Sequence, residues 1–260
     1  MVSDLASGPT VTGATVWLMR SSLFSQEYLE ATTPDGFGLQ NSKMLKVSLS
    51  GGSVMARQGS MVAYQGGVQF DYQSAGGIGK MLKKAVTGEG VDLMRCTGTG
   101  DVFFADLASD VHVVELDGSD GFSVNGVSVL AFEPTLQWDI KMIGGVGMVS
   151  GGLFNTYFNG AGKLAITTKG TPVVLTVDAP TYVDTDAVVA WSASLQTSIH
   201  SGGFKPMSLL GRSSGEAFQM AFSGQGFVVV QPSENPPRVA GQSGGGSSGG
   251  VGGMLGRLGG

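Results

Sequence analysis

A short glycine motif recurs three times along the chain and limits the folds that the sequence can adopt. An apolar residue precedes two glycines spaced by one residue, and an apolar run follows, in CTGTGDVFF, FNGAGKLAIT and FSGQGFVVVQ. The first glycines are Gly98, Gly160 and Gly224, so the copies lie 62 and 64 residues apart. A pattern that recurs at a near-constant period indicates an internal repeat.

Two further patterns recur, in the same order, before each glycine motif. An alternating apolar run comes first, in LKVSL, VVEL and VVLTV, and a segment with alanine before an aromatic residue follows, in MVAY, VLAF and VVAW. Such segments favour short strands. One module of roughly 60 residues buries its apolar face poorly alone. We therefore predict an all-β fold of three antiparallel β-sandwich or double-stranded β-helix-like modules in a pseudo-threefold arrangement.

The repeats predict the domain organisation. An N-terminal extension, residues 1–36, precedes a domain over 37–232, whose repeats span about 37–100, 101–162 and 163–232. The extension includes TVTGATVWLMR, which we interpret as an added strand pair. Residues 233–260 contain prolines and then a Gly/Ser-rich segment, a composition typical of a disordered tail.

A short amphipathic helix is predicted near residues 77–87. Ile78, Met81 and Leu82 fall on one helical face, and the basic side chains Lys80, Lys83 and Lys84 fall mostly on the other. We interpret it as a cap on the open end of a β module. The alternative is a weak contact between these lysines, or the tail, and an anionic membrane surface.

NGAGK, residues 159–163, resembles a phosphate-binding loop only superficially. A loop of that class requires Ser or Thr after the lysine and then a helix, but Leu164 and the strand-like LAITT follow Lys163. The other two copies have Asp101 and Phe227 in place of the lysine. We therefore predict that the glycines provide positive φ angles or close backbone approach in a hairpin.

Residues capable of catalysis or metal binding are few and scattered. His112 and His200 are the two histidines, and they form no metal-binding spacing. Asp184 and Asp186 alternate with apolar residues, which indicates a wet strand face or a turn. The lone Cys96 is interpreted as a buried small hydrophobe. We expect no catalytic, cofactor-binding or metal site, and no cofactor.

Charge and cysteine content bear on partners and location. The net charge of −5 disfavours nucleic-acid binding. Residues 41–95 carry mainly basic charges and residues 101–140 carry only acidic ones. These segments form either two differently charged faces of one molecule or two surfaces that attract each other across a subunit contact. One cysteine, no signal peptide and no apolar run of membrane-spanning length predict a cytoplasmic protein.

Several segments together resemble the altered inheritance of mitochondria protein 24 family. They are QNSKMLKVSL (40–49), ARQGSMVAYQGGVQF (56–70), GGIGKMLKKAVTGEG (76–90) and GEAFQMAFSGQGFVVVQ (215–231). The resemblance covers roughly residues 37–232 and implies a fold related to the tryptophan RNA-binding attenuator protein, without an established catalytic site. VDLMRC (91–96) departs from the aromatic-rich run usual in the family. With no mitochondrial targeting segment, we expect a bacterial-type member, and the organelle role does not transfer.

Three functional hypotheses follow. The first is a non-enzymatic structural or interaction protein, oligomeric and membrane-peripheral, with a second copy and an unknown protein as partners. The second is a small-ligand-binding β module, with Trp17, Trp138 or Trp191 lining the ligand site. The third, least supported by the residues, is an enzyme that uses His112 and His200.

Overall fold

The computed structural model describes residues 21–33, 36–73, 92–143, 153–200 and 219–233. These ranges contain sixteen β-strands and three short 3-10 helices, at Ser22–Phe24, Gln26–Tyr28 and Gly126–Ser128. The all-β prediction is confirmed. The helix predicted near 77–87, the strand pair predicted in TVTGATVWLMR and the C-terminal tail lie outside the described residues.

The strands follow one another in chain order with short connections in most places. Their bounds are β1 Phe37–Asn41, β2 Met44–Arg57, β3 Met61–Gln73, β4 Leu93–Phe104, β5 Asp110–Asp117, β6 Phe122–Asn125, β7 Val129–Phe132, β8 Gln137–Ile143, β9 Leu153–Asn159, β10 Ala161–Thr168, β11 Val173–Val177, β12 Thr181–Asp184, β13 Val188–Ser192, β14 Gln196–His200, β15 Gln219–Ser223 and β16 Gly226–Val230.

Antiparallel pairing joins these strands into three sheets. A seven-stranded sheet has the order β3-β4-β2-β7-β10-β5, with β1 added beside β2. A six-stranded sheet has the order β11-β16-β13-β6-β9-β8, and a three-stranded sheet has the order β12-β15-β14. The largest sheet therefore begins with the early long strands and continues into strands from the middle of the chain.

The same pairing pattern occurs twice after residue 109. β10 pairs with β5 and β7, and β9 pairs with β6 and β8. In the same way β16 pairs with β11 and β13, and β15 pairs with β12 and β14. Earlier in the chain, the single long strand β4 pairs with both β2 and β3. The single strand β4 thus corresponds to the strand pair β9 and β10 and to the strand pair β15 and β16.

A register irregularity accompanies each alanine–aromatic segment. The pairing of β3 with β4 shifts just before Ala63, and the pairings of β7 with β10 and of β13 with β16 shift just before Ala131 and Ala190. A β-bulge adds one residue to a strand, bends it and increases its twist. All three alanine–aromatic strands thus bend at the same sequence position.

The positive φ angles predicted for the glycine motifs are confirmed at the first glycine of each, but the hairpin is wrong, because two of the motifs form bends between sheets and the third lies within β4. Gly160 separates β9 from β10, which belong to different sheets and do not pair with each other. Gly224 separates β15 from β16 in the same way. In β4 the chain continues through Gly98, where φ is +120°. Strands that pass from one sheet to another require such bends.

In the described residues the core consists of three clusters of buried side chains, one formed by strands of the seven-stranded sheet and two by strands from two sheets each. The aromatic rings of Phe132 and Phe158 are fully buried and meet edge to face at 5.0 Å between centroids. Trp191 and Phe222 form a similar pair at 5.8 Å in another cluster. Such edge-to-face pairs add to the stabilisation from burial alone.

Candidate interaction surface

The residues with catalytic potential are dispersed in the described part of the chain. The His112 ring, on β5, hydrogen-bonds the Thr168 hydroxyl of the neighbouring β10 at 3.0 Å. Asp184 is the last residue of β12, and its Oδ1 accepts a 2.7 Å hydrogen bond from the backbone N–H of Asp186 in the turn that follows. His200 is the last residue of β14. Within the described ranges, no three side chains of the kinds that bind metals lie together in one place.

Cys96 lies on β4 and is fully buried. Burial raises the pKa of its thiol to about 12, because the low-dielectric interior disfavours the thiolate. A thiol in this state is protonated at neutral pH and is a poor nucleophile. The interpretation of Cys96 as a packing residue therefore agrees with its position.

The segment that resembled a phosphate loop uses its backbone groups within the protein. The Lys163 N–H donates to the Glu133 carboxylate at 2.8 Å, and the Glu133 N–H donates to the Lys163 carbonyl at 2.9 Å. Strand β10 continues through Leu164 to Thr168, as predicted. These reciprocal bonds fasten the bend at Gly160 to the turn after β7.

The tryptophans suggested as ligand contacts pack within the protein where the structure describes them. Trp138 is partly buried and meets the Phe132 ring at 6.2 Å. Trp191 is only 4% exposed. Trp17 lies outside the described residues, as do Lys80, Lys83 and Lys84, whose segment connects β3 to β4.

Lys46 joins the N-terminal segment to the largest sheet. Its Nζ donates to Glu30 at 2.6 Å and to the Ala31 carbonyl at 2.9 Å, and it lies 3.4 Å from Asp101. Burial by itself lowers the pKa of Lys46, but the hydrogen bond and charge of Glu30 and the charge of Asp101 outweigh it and raise the pKa. Hydrogen bonding from Ser48 is the main cause that lowers the pKa of Asp101, and Lys46 contributes. We interpret this group as structural.

Apolar side chains are exposed along β3. Val62 is 52% exposed, Tyr64 is 50% exposed and Tyr72 is 70% exposed. Asp71 carries the only formal charge in this thirteen-residue strand. Within the described ranges β3 pairs along one edge only, with β4. A long, nearly uncharged edge strand is a template for pairing with another strand.

β3 also has an unusual shape. The rings of Tyr64 and Phe70 meet edge to face, 5.1 Å apart. Six residues of straight strand span about 20 Å, so the strand bends between the two rings. Gly66 lies at this bend with φ of +87°, and its Cα approaches β4 so closely that a Cβ would lie 2.7 Å from the Thr99 carbonyl oxygen.

The two strands with the same alanine–aromatic pattern are in a different environment. Phe132 on β7 is fully buried, and Trp191 on β13 is nearly so. β7 lies between β2 and β10, and β13 lies between β6 and β16, so each has a neighbour on both edges. Tyr64 is therefore exposed because, within the described structure, β3 has a neighbouring strand on one edge only. Nothing in the sequence marks this surface, because MVAY has the same pattern as VLAF and VVAW.

The described fold and this surface define an all-β protein of antiparallel sheets in which β3 lies at a sheet edge and has exposed apolar side chains. A family model described as Mitochondrial biogenesis AIM24 matches residues 37–233. The chain therefore belongs to the AIM24 family, as the resemblance of its motifs indicated. A search of curated proteins gave no match.

A solved structure provides a further comparison. The chain is similar to the crystal structure of a protein from Streptococcus pyogenes, with a TM-score of 0.62 and 24% sequence identity. The match covers 76% of this chain and 92% of that chain. At this level of identity the similarity shows the fold alone.

Proposed function

We propose that the protein is a non-enzymatic interaction protein of the AIM24 family that assembles with copies of itself through β3. The observation that carries the proposal is the half-exposed Val62 and Tyr64 on a strand edge that no described strand covers. Burying such side chains stabilises association by about 25 cal/mol per Å² of apolar surface, before the costs of association. An interaction role is favoured over catalysis because His112 is engaged with Thr168 and the Cys96 thiol is buried and protonated.

We further propose that the domain consists of three modules, over about 37–100, 101–162 and 163–232, in a pseudo-threefold arrangement that stays open between the third module and the first. The support is the recurrence of one pairing pattern and of one bulge before Ala63, Ala131 and Ala190. Tyr64, Phe132 and Trp191 pair with Val102, Leu164 and Val228, each two residues after the second glycine of its motif. A relation to the tryptophan RNA-binding attenuator fold is part of this proposal.

Among the described residues, no helix is long and apolar enough to cross a membrane. We propose a cytoplasmic location, with weak contact between Lys80, Lys83 and Lys84 and an anionic membrane surface as a secondary role. Liposome flotation of the chain and of a K80A/K83A/K84A variant measures that contact directly.

The assembly is tested by light scattering coupled to size-exclusion chromatography. We compare the unmodified chain with Val62→Glu, since a charged side chain on an edge strand opposes pairing. The matched control is Val174→Glu, because Val174 is 62% exposed and lies on β11, another edge strand. We expect the unmodified chain and the control to form the same multimer and Val62→Glu to dissociate.

Two results contradict the proposed function. One is a monomeric unmodified chain at micromolar concentration. The other is equal dissociation in the two glutamate variants, which indicates a general effect of charge rather than a contact at β3. Far-UV circular dichroism of each variant establishes that it is folded.

A further inference from the structure

Two strand pairings connect the repeated parts of the chain, and they follow one rule. β2 pairs with β7, with Ala56 opposite Ala131. β6 pairs with β13, with Val124 opposite Ala190. In both pairings, the alanine–aromatic strand of one repeat (β7 or β13) pairs with a strand of the preceding repeat (β2 or β6), which we call the donor strand.

In each repeat, the donor strand pairs with the residue that lies two positions before the first glycine of the glycine motif. Val54 on β2 pairs with Cys96, Phe122 on β6 pairs with Phe158, and Thr181 on β12 pairs with Phe222. Cys96, Phe158 and Phe222 each lie two residues before the first glycine of their motif. Val183 on β12 is therefore equivalent to Ala56 and Val124.

The rule predicts a third pairing. The remaining alanine–aromatic strand is β3 and the remaining donor strand is β12. The equivalences place Ala63 opposite Val183 and Tyr64 opposite Tyr182, just as Met55 lies opposite Phe132 and Ser123 opposite Trp191. Within the described structure this pairing is absent, because β3 pairs with β4 and β12 pairs with β15.

We infer that β12 of one copy of the chain pairs antiparallel with β3 of a second copy, in the register that places Tyr64 opposite Tyr182. This inference rests on the proposed function and names the partner strand for the β3 surface. Tyr182 is 53% exposed, as Tyr64 is at 50%, so both aromatic side chains gain cover at the contact. The contact extends to a second copy the same interface that β2–β7 and β6–β13 form inside the chain.

The symmetry of this contact has a consequence for assembly. β3 and β12 are different surfaces, so the contact is heterologous. Each copy then donates one strand and receives one strand, and the assembly is a closed ring or a chain of copies. A symmetric dimer through β3 alone is a different arrangement, which the experiment below separates.

The register is tested with four single-cysteine additions, at Tyr64 and Gln65 on β3 and at Thr181 and Tyr182 on β12. Directly opposed residues of antiparallel strands have Cβ atoms about 5 Å apart, close to the distance that a disulfide bridges. Purified variants are mixed in pairs, oxidised mildly and run on non-reducing gels. Cys96 stays in place because it is buried, and the unmodified chain is the control for its reactivity.

We expect disulfide-linked dimers in two of the four mixtures. Y64C with Y182C and Q65C with T181C are in register, whereas Y64C with T181C and Q65C with Y182C are out of register by one residue and place the thiols on opposite sheet faces. Two in-register pairs keep the test informative if one tyrosine replacement weakens the contact. Several-fold more dimer in the in-register mixtures supports the inference.

Other outcomes overturn the inference. No dimer, or equal dimer in all four mixtures, excludes this register. More dimer from Y64C alone than from its mixture with Y182C indicates a symmetric contact of β3 with β3. An intrachain disulfide in the Y64C/Y182C double variant, without interchain dimer, shows that β12 of the same chain is the partner. If the in-register mixtures give no excess of dimer but Val62→Glu dissociates the multimer, the proposed function stands while this inference fails.

Discussion

Replacement of Gly98 by alanine tests the interpretation of the glycine motif as a sterically required bend. Gly98 has φ of +120°, and a Cβ at this position lies 2.1 Å from the Gly67 carbonyl oxygen on β3. That oxygen belongs to the backbone, so it cannot move without displacing the β3–β4 ladder. The backbone conformation costs about 1–3 kcal/mol for a residue other than glycine. Overpacking typically adds about 1–3 kcal/mol.

We therefore expect Gly98→Ala to reduce the free energy of unfolding by about 4 kcal/mol, the middle of the combined range. For a domain of this size the melting temperature then falls by about 8–16 °C. Gly52→Ala is the matched control, because Gly52 is exposed on β2 and no neighbouring atom lies within 4 Å of the place that an alanine Cβ would take. That change is expected to alter stability by less than about 1 kcal/mol.

Urea unfolding followed by far-UV circular dichroism measures both variants, and calorimetry gives the melting temperatures. A loss below about 1 kcal/mol for Gly98→Ala, similar to the control, refutes the steric reasoning. In that case the chain can adjust the spacing of β3 and β4 at this bend. A large loss in both variants instead indicates that any side chain on these strands is destabilising.

Two further predictions concern the buried Cys96 thiol and the partly buried Asp101 carboxyl group. Burial raises the pKa of the Cys96 thiol to about 12, so we expect Cys96 to resist alkylation by iodoacetamide at pH 8 in the folded protein and to react fully in urea. Mass spectrometry measures both reactions. Rapid labelling of the folded protein would contradict the burial of this thiol. Asp101 has a lowered pKa in the folded state, so its contribution to stability is present above the unfolded pKa and is lost as pH falls through the folded value. Asp101→Asn should therefore lower the urea midpoint at pH 7 and reduce its fall on acidification below about pH 4, and an unchanged acid dependence argues against this linkage.

The strand content and the positions of the bends were predictable because they depend on local physical chemistry. Alternating apolar runs with β-branched residues favour strands, and LKVSL, VVEL and VVLTV lie on β2, β5 and β11. Paired glycines mark places where the backbone needs unusual torsion angles or close approach. The sequence also excluded a phosphate loop at Lys163, because a strand-forming segment follows the lysine directly.

The pairing partners of those strands were not predictable from the sequence. A hairpin and a bend between two sheets have similar local requirements, so the motif at Gly160 did not reveal that β9 and β10 join different sheets. The interaction between Lys46 and Glu30 was also not predicted, because it joins residues sixteen apart in sequence through a packed sheet.

The sequence by itself determined an all-β chain with recurring segments and few residues suited to catalysis. The tertiary structure decided which of the recurring segments is buried. MVAY, VLAF and VVAW have the same local pattern, yet Tyr64 is half exposed while Phe132 and Trp191 are buried. The physical reason is that burial depends on the strands that lie on both edges of each segment, and β7 and β13 each have two such neighbours while β3 has one within the described structure.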